Sequence, residues 1–245
     1  TLCDRVSIMR NGKMGSSHRI DEVSEEDISK LMIGTALPAE VSKAASKFGE
    51  VVLNVENLVH VNAMHKKTLK GVQFNVRSGQ ILGVAGVEGN GQREMVEIIT
   101  GLLDATEGQV SILGENLGKF SIKQRRDKGL AYVPEDRMTF GCAKDMSIRD
   151  NVLSTWTESK RFVQSGFLKK AEIEKFAADS AKEYRVKCKD ASQEVGMLSG
   201  GNIQKVVIAR EMSQNPKLLV ADQPTRGIDV GSSRFIREKI VSLRD

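Results

Sequence analysis

The chain has 245 residues, 40% apolar and 28% charged, a globular composition with length for one large domain or for one domain and a fragment. Its 37 basic and 32 acidic residues leave a formal charge of +5, too mild to mark a nucleic-acid partner, and aromatics are too few for base stacking. The apolar runs fall far short of the roughly 20 residues of a membrane helix, and three scattered cysteines give neither a disulfide framework nor a zinc signature, so a reducing cytosol is the simplest compartment.

Arg5 to Arg10 alternates apolar and polar residues, Asn11-Gly12 is a type I′ turn signal, and Lys13 onward returns, which predicts a β-hairpin. A short helix follows, with Ser24 and Asp27 as its capping pair, Ile28, Leu31 and Met32 as its apolar stripe, and Gly34 as its stop. Pro38 to Glu50 reads as a linker and places a domain boundary between two unequal parts. From Val51 strands alternate with helices, predicting an α/β domain with a largely parallel sheet. The strands are expected at Val51 to Val55, Val72 to Val76, Gln80 to Val84, Gln109 to Leu113, Leu130 to Val133 and Lys217 to Ala221. The helices are expected at Arg93 to Thr100, Ser121 to Lys128, Ser147 to Thr155, Lys170 to Tyr184, Gly201 to Met212 and Gly231 to Leu243. Strand signal vanishes between Ser147 and Val195, which predicts an inserted helical subdomain over about 147–195. Lys123, Arg125, Arg126 and Lys128 fall at helical spacing and read as a solvated helix face. Trp156 is expected to pack in the helical subdomain.

The chemistry concentrates at two places. Ile81 to Val84 feeds into Gly86-Val87-Glu88-Gly89-Asn90-Gly91 just before a helix, an arrangement whose backbone N–H groups can close on a phosphate chain. Gly86 and Gly91 hold the two glycine positions of a phosphate loop, but Gln92 stands where Lys belongs and Arg93 where Ser or Thr belongs. By itself such a loop is as consistent with a structural glycine turn as with a phosphate site. The second place is Leu198-Ser199-Gly200-Gly201-Asn202, which opens an amphipathic helix with apolar positions Val206, Val207, Ala209 and Met212. Ser199 can cap that helix and still serve an anion. After Pro216 the apolar strand Leu218 to Ala221 ends in Asp222, placed as a metal-holding carboxylate would be.

With LSGGN-IQK, then LLVAD, then PTRGIDVG in that order, the chain resembles the ATP-binding subunits of ABC transporters. GVEGNGQRE, YVPEDR (Tyr132 to Arg137) and ADQPTRGIDVG are similar to the second half of tandem import ATPases for simple sugars and nucleosides. The resemblance implies an α/β P-loop NTPase of ABC type, with a mostly parallel sheet core and the inserted helical subdomain. It implies ATP and Mg2+ as ligands and location at the cytoplasmic face of the cell membrane. The implied partners are membrane permease subunits, a first ATP-binding half in cis or a second ATPase copy, and indirectly an extracytoplasmic solute-binding protein, with no nucleic acid. On this resemblance residues 1–38 close a first half, 39–50 link, and 51–245 form a second half. The chain is then expected to be a fragment lacking nearly all of the first half and everything after Asp245. Two other readings are a soluble ABC-type ATPase acting on nucleic acid or the ribosome, and a nucleotide-sensing scaffold without hydrolysis.

Residue by residue, the resemblance puts Gly86, Glu88, Gly89, Asn90, Gly91, Gln92 and Arg93 in the phosphate loop. It makes Ser199, Gly200, Gly201 and Asn202 the signature, Asp222 the magnesium-side carboxylate, Glu135 the Q-loop position and Asp229 the D-loop aspartate. Gln223 replaces the catalytic Glu. A neutral Gln92 cannot cancel phosphate charge, and Gln223 can orient water without taking its proton, so this half is expected to bind nucleotide and hydrolyse it poorly. The adenine-stacking aromatic is absent. Only His60 and His65 stand nearby, and they read as exposed polar residues.

Overall fold

The structure is a computed structural model describing residues 3–10, 12–33 and 45–245, and its chain divides into two compact units, 1–43 and 44–245. In the first unit β1 (Arg5–Arg10) pairs antiparallel with β2 (Lys13–Arg19) in the register Arg10 to Lys13, as the alternation and turn signal predict. Helix α1 (Glu25–Ile33) follows. Ser24 Oγ accepts from the Asp27 N–H at 3.1 Å while the Ser24 N–H donates to Asp27 Oδ2 at 3.2 Å, the reciprocal cap expected of this pair. Asn11 of the turn, the expected stop Gly34 and residues 38–44 of the expected linker lie outside the described residues.

The remainder of that linker is already part of the second unit. Ser46 Oγ donates to the Gly79 carbonyl at 2.8 Å, and backbone bonds join Gly49 and Glu50 to Ser78. Strands β3 (Val51–Val61) and β4 (Lys67–Arg77) follow, then α2 (Gln92–Thr100), β5 (Glu107–Ile112) and β6 (Glu115–Asn116). Their sheet runs β4-β3-β5-β6 and every pairing in it is antiparallel. In this sheet the expected parallel pairing gives way to antiparallel pairing: a connection of only residues 62–66 joins β3 to β4, and a link that short can only return the chain antiparallel. Strand β3 also runs six residues past its predicted end. The register shifts between Val55 and Leu58, where Asn57 takes φ +46°, so the bulge hides the alternation beyond it. Gly108, at φ +86°, passes so close to this bulge that a Cβ would lie 2.3 Å from the Asn57 carbonyl oxygen. One face of the sheet buries Leu53, Val55, Leu58, Val110 and Ile112 against Met95, Ile98 and Ile99 of α2.

Helix α3 (Ile122–Asp127) leads to β7 (Leu130–Val133). Then come α4 (Ile148–Leu153), a small hairpin of β8 (Val163–Gln164) and β9 (Phe167–Leu168), and α5 (Lys170–Glu183). That hairpin lies between α4 and α5, and its Ser165-Gly166 turn holds positive φ at both residues. Trp156 packs edge-on against Phe162 and Phe176 and donates to Ser213 Oγ at 3.1 Å.

Helix α6 (Gly200–Met212), β10 (Leu218–Ala221) and α7 (Val230–Arg244) complete the chain, and β10 pairs parallel with β7. The expected amphipathic stripe on α6 is corrected, because ten of its residues are buried, including Gln204, Lys205 and Glu211. Ile203 and Val206 pack with Ile148, Val152 and Val195 of the insertion, and Val207, Ile208 and Met212 pack with Val133, Phe235 and Ile236. A helix gripped from both sides has no solvated face to leave a period in its sequence.

Two further expectations change. Gln80 to Val84 is not a strand: none of its residues pairs with a neighbour, and Ile81, Leu82 and Val84 are exposed along a large cleft. Apolarity sets what a segment tolerates on its faces, whereas strand pairing needs a free edge at the right level, and Gly79, Gly83 and Gly86 weaken this run's preference for one. The solvated basic face on α3 is the other. Arg125 is buried and donates to the carbonyls of Ile98 and Ile99, at 2.5 and 2.9 Å, and to those of Leu117 and Phe120, at 3.0 and 3.1 Å. It thus closes the C-terminal end of α2. Among the described residues no helix is long and apolar enough to cross a membrane. Arg125→Met leaves those carbonyls buried without their donor and is expected to lower unfolding stability by about 3 kcal/mol, measured by urea denaturation.

Candidate functional site

Residues 86–91 run directly into α2, whose N-cap is Gly91 at φ +96°. A Cβ there would lie 2.7 Å from Leu69 Cδ2 and from the Thr68 carbonyl oxygen, so only glycine passes between the loop and β4. The first-turn N–H groups of a helix have no intrahelical acceptor, and the dipole favours an anion beside them. Gln92 Nε2 folds back to donate to the Val87 carbonyl at 3.1 Å, beside Asn90 Nδ2 at 3.0 Å on the same oxygen. The Gln92 amide fills the space that a Cβ at Gly86 would need, with 2.1 Å between them. The uncharged Gln92 amide therefore braces the loop. Arg93 does not supply a charge to it, since its guanidinium pairs with Glu97 at 2.8 Å along the exposed side of α2, which raises its pKa.

Opposite the loop stand the ends of β7 and β10. The Asp222 N–H donates to the Val133 carbonyl at 2.9 Å, extending the parallel pairing by one residue. Burial pushes the Asp222 carboxyl above its ordinary range and Glu97 adds to this, against an opposing pull from Arg93. Burial also pushes the Tyr132 phenol up to about 12, assisted by the charge of Asp222. Gln223 takes φ +43° and its Nε2 donates to Glu135 Oε1 at 2.8 Å, and Arg226 forms an ion pair with the same oxygen. Gly86, Glu88, Gly89, Gly91, Gln92, Arg93, Glu135, Asp222, Gln223 and Arg226 line one cleft of about 1200 Å³.

The LSGGN residues lie elsewhere. Ser199 caps α6 by position, its Oγ accepting from Asn202 Nδ2 at 2.9 Å, while Asn202 Oδ1 accepts from the Lys187 N–H at 2.9 Å. A Cβ at Gly201 would come 2.6 Å from Ser232 Oγ and 2.8 Å from Asp229 Oδ2, so the start of α6 lies directly against the start of α7. Asp229 caps α7 by accepting from the Ser232 N–H at 2.9 Å. Burial opposes ionisation of Asp229, but the Ser232 bonds and the charge of Lys205 outweigh it and its pKa is lowered. His60 is buried rather than exposed, with Nδ1 2.7 Å from Thr68 Oγ1, because it lies on the inner face of β3. His65 sits exposed in the β3–β4 turn at φ +57°.

Against known proteins, the profile described as ABC transporter matches residues 69–226. The chain belongs to the ABC transporter family. It is 33% identical over 244 residues to the guanosine import ATP-binding protein NupO of Bacillus subtilis, covering 100% of this chain and 48% of that protein. It is 32% identical over 244 residues to the nucleoside import ATP-binding protein NupA of Lactococcus lactis, with the same coverage. It is 36% identical over 247 residues to the glucose import ATP-binding protein TsgD13 of Haloferax volcanii, covering 99% of this chain and 44% of that one. The chain thus spans about half the length of the curated relatives it matches. Its fold is similar to the ATP-binding cassette MJ0796 solved as a dimer with ADP and Pi, at TM-score 0.68 and 26% identity over 79% of this chain and 83% of that one. A nucleotide-free ATP-binding cassette from an ABC transporter gives TM-score 0.63 and 25% identity over 80% and 78%. These neighbours carry the P-loop NTPase fold of ABC type expected from the motifs.

Arg226 carries no role from sequence, and for Glu135 to Arg137 the resemblance implies a nucleotide sensor where position alone allows an exposed turn. Arg226 reaches Glu135, and Arg137 donates to the carbonyls of Arg226 and Gly227 at 2.9 and 3.2 Å while its guanidinium crosses Gly200. Only the fold brings positions 135–137 beside 223–227, so spacing carries no sign of it. Among the described residues the Asp222 carboxylate has no hydrogen-bond or ion-pair partner. Its raised pKa means that the folded chain, unlike the unfolded one, bears a desolvation cost once Asp222 ionises. Asp222→Asn is therefore expected to raise the thermal midpoint at pH 7 to 8, with the gain closing as pH falls through the carboxylate range. A lower midpoint than wild type at every pH would place the carboxylate in a favourable pair instead.

Proposed function

We propose that residues 51–245 are the second ATP-binding half of a tandem importer ATPase and that residues 1–38 close its first half. The cargo is a nucleoside or simple sugar. The assembly works at the cytoplasmic face of the membrane with permease subunits and an extracytoplasmic solute-binding protein. The import names of the relatives and their doubled length support this reading. The observation that carries the nucleotide role is the cleft itself, with a glycine loop facing a carboxylate at the ends of parallel strands.

The residues fit the ligands. Gly86 and Gly91 leave a cradle that side chains would fill, and the start of α2 offers its N–H groups to the phosphates. Among the described residues no cluster of three metal-ligating side chains exists. Mg2+ needs none, because one carboxylate together with nucleotide phosphates holds it, and Asp222 is that carboxylate. Bound Mg2+ supplies charge neutralisation at the phosphates. What this chain lacks at position 223 is a base, because the Gln223 amide cannot accept a proton. This half therefore holds ATP with little turnover. Its signature, Ser199 to Asn202, of which Ser199 is exposed and Gly201 buried, lies outside its own cleft and serves the partner half's site.

Nucleotide titration and phosphate release on the purified chain test this, the expected result being ATP binding with negligible turnover. Magnesium-dependent turnover abolished by Asp222→Ala would overturn it. Gln223→Glu alone is expected to leave turnover negligible, since it sets a second carboxylate against Glu135 and position 92 stays uncharged. In the reconstituted transporter, Ser199→Arg is expected to cut hydrolysis and uptake strongly by filling the anion site, and Gln92→Ala far less. Equal losses from the two would refute the division of labour.

A further inference from the structure

The nucleotide site, on the reading just proposed, lacks the cation that faces the terminal phosphate, and the cleft narrows the choice of a substitute. Among the described residues, five cationic ones line it. Lys217 precedes β10 and so stands at the opposite end of that strand from Asp222. Arg77 closes β4, whose other end, Thr68 and Leu69, is the part that touches Gly91. Arg244 ends α7, a helix whose start lies beside the D-loop. Arg93 pairs with Glu97 one turn further along the exposed side of α2. Arg226 remains, three residues after Gln223 and on the same side as Asp222.

We propose that Arg226 is the nucleotide-positioning residue of this site, swinging from Glu135 to the terminal phosphate of ATP and supplying the charge that position 92 lacks. Its backbone is fixed, because Arg137 holds the carbonyls of Arg226 and Gly227. Its side chain is tethered to the cleft wall by the Glu135 ion pair, in which the arginine is 55% exposed. By exposure this pair and the Arg93–Glu97 pair are both weak, but that of Arg93 stays within α2 whereas that of Arg226 joins the segments after β7 and β10, and a guanidinium meets a phosphate with two parallel, charge-assisted hydrogen bonds. The exchange leaves no orphan. When Arg226 departs, Glu135 keeps the Gln223 amide as donor at 2.8 Å. A Glu at 223 would instead leave two facing carboxylates and hold Arg226 between them, so the amide at 223 is what frees the arginine to move.

The test is equilibrium binding of ribose-labelled fluorescent ATP, ADP and AMP to the full chain, with circular dichroism confirming that each variant is folded. Arg226→Met is expected to weaken ATP roughly ten-fold, the worth of a charge-assisted contact, and to leave AMP unchanged. Arg226→Lys recovers part of the loss, keeping the charge without the fork. Glu135→Gln removes the competitor and is expected to tighten ATP by about three-fold, a gain absent from the Glu135→Gln, Arg226→Met double variant. Weaker ATP binding by Glu135→Gln, or unchanged ATP binding by Arg226→Met, overturns the assignment while leaving the ATP-binding reading intact. Failure of the wild type to bind any of the three nucleotides overturns both. Should Arg226→Met not fold, Glu135→Gln still decides by its direction.

Discussion

The parallel register of β7 and β10 decides which loops share the cleft. Leu130 pairs with Leu218 and Val133 with Ala221, and the Asp222 N–H carries the ladder one residue further. Both chains therefore leave the sheet at one level, and Glu135 meets Gln223 and Arg226 across some ninety positions of sequence. Parallel strands must be joined by a long crossover, and here the crossover contains the whole helical insertion and α6. The glycine loop faces the same strand ends, where ligands of α/β folds bind.

Helix α6 transmits that arrangement to the signature. Glu211, fully buried, accepts from Arg126 at 2.9 Å, from Arg210 at 2.8 Å and from the Tyr132 N–H at 3.2 Å, so α6 is pinned to α3 and β7. A buried carboxylate survives only with its lone pairs filled in this way. Nearer its start, Lys205 donates to the Arg185 carbonyl at 3.2 Å and lies over the Phe235 ring of α7. The position of Ser199 and its glycines is thus set by core packing rather than by the loop before them, and Arg137 spans the gap from Gly200 to the carbonyls of Arg226 and Gly227.

The substituted residues in the cleft are mutually consistent. Glu135 and Gln223 together carry one negative charge where two carboxylates at the same spacing would repel, and Arg226 balances it. Gln92 braces the loop through the Val87 carbonyl.

The sequence by itself determined the local features. The hairpin of β1 and β2, the Ser24 cap, the helices from α2 to α7, the strands β7 and β10 and the ordered motifs follow from turn chemistry, apolar runs and spacing, which act over a few residues. Tertiary structure decided the rest. Arg125 and His60 were buried by partners that sequence position does not reveal, and Asn57 bulged β3 because Gly108 passes beside it. The short β3–β4 connection made that sheet antiparallel, and the apolar run at Ile81 stayed unpaired because pairing depends on a neighbour's free edge. The contacts of Arg137 and Arg226 belong to this second class, because a side chain's partner is set by which strands lie side by side, and strand neighbours are chosen by the fold as a whole.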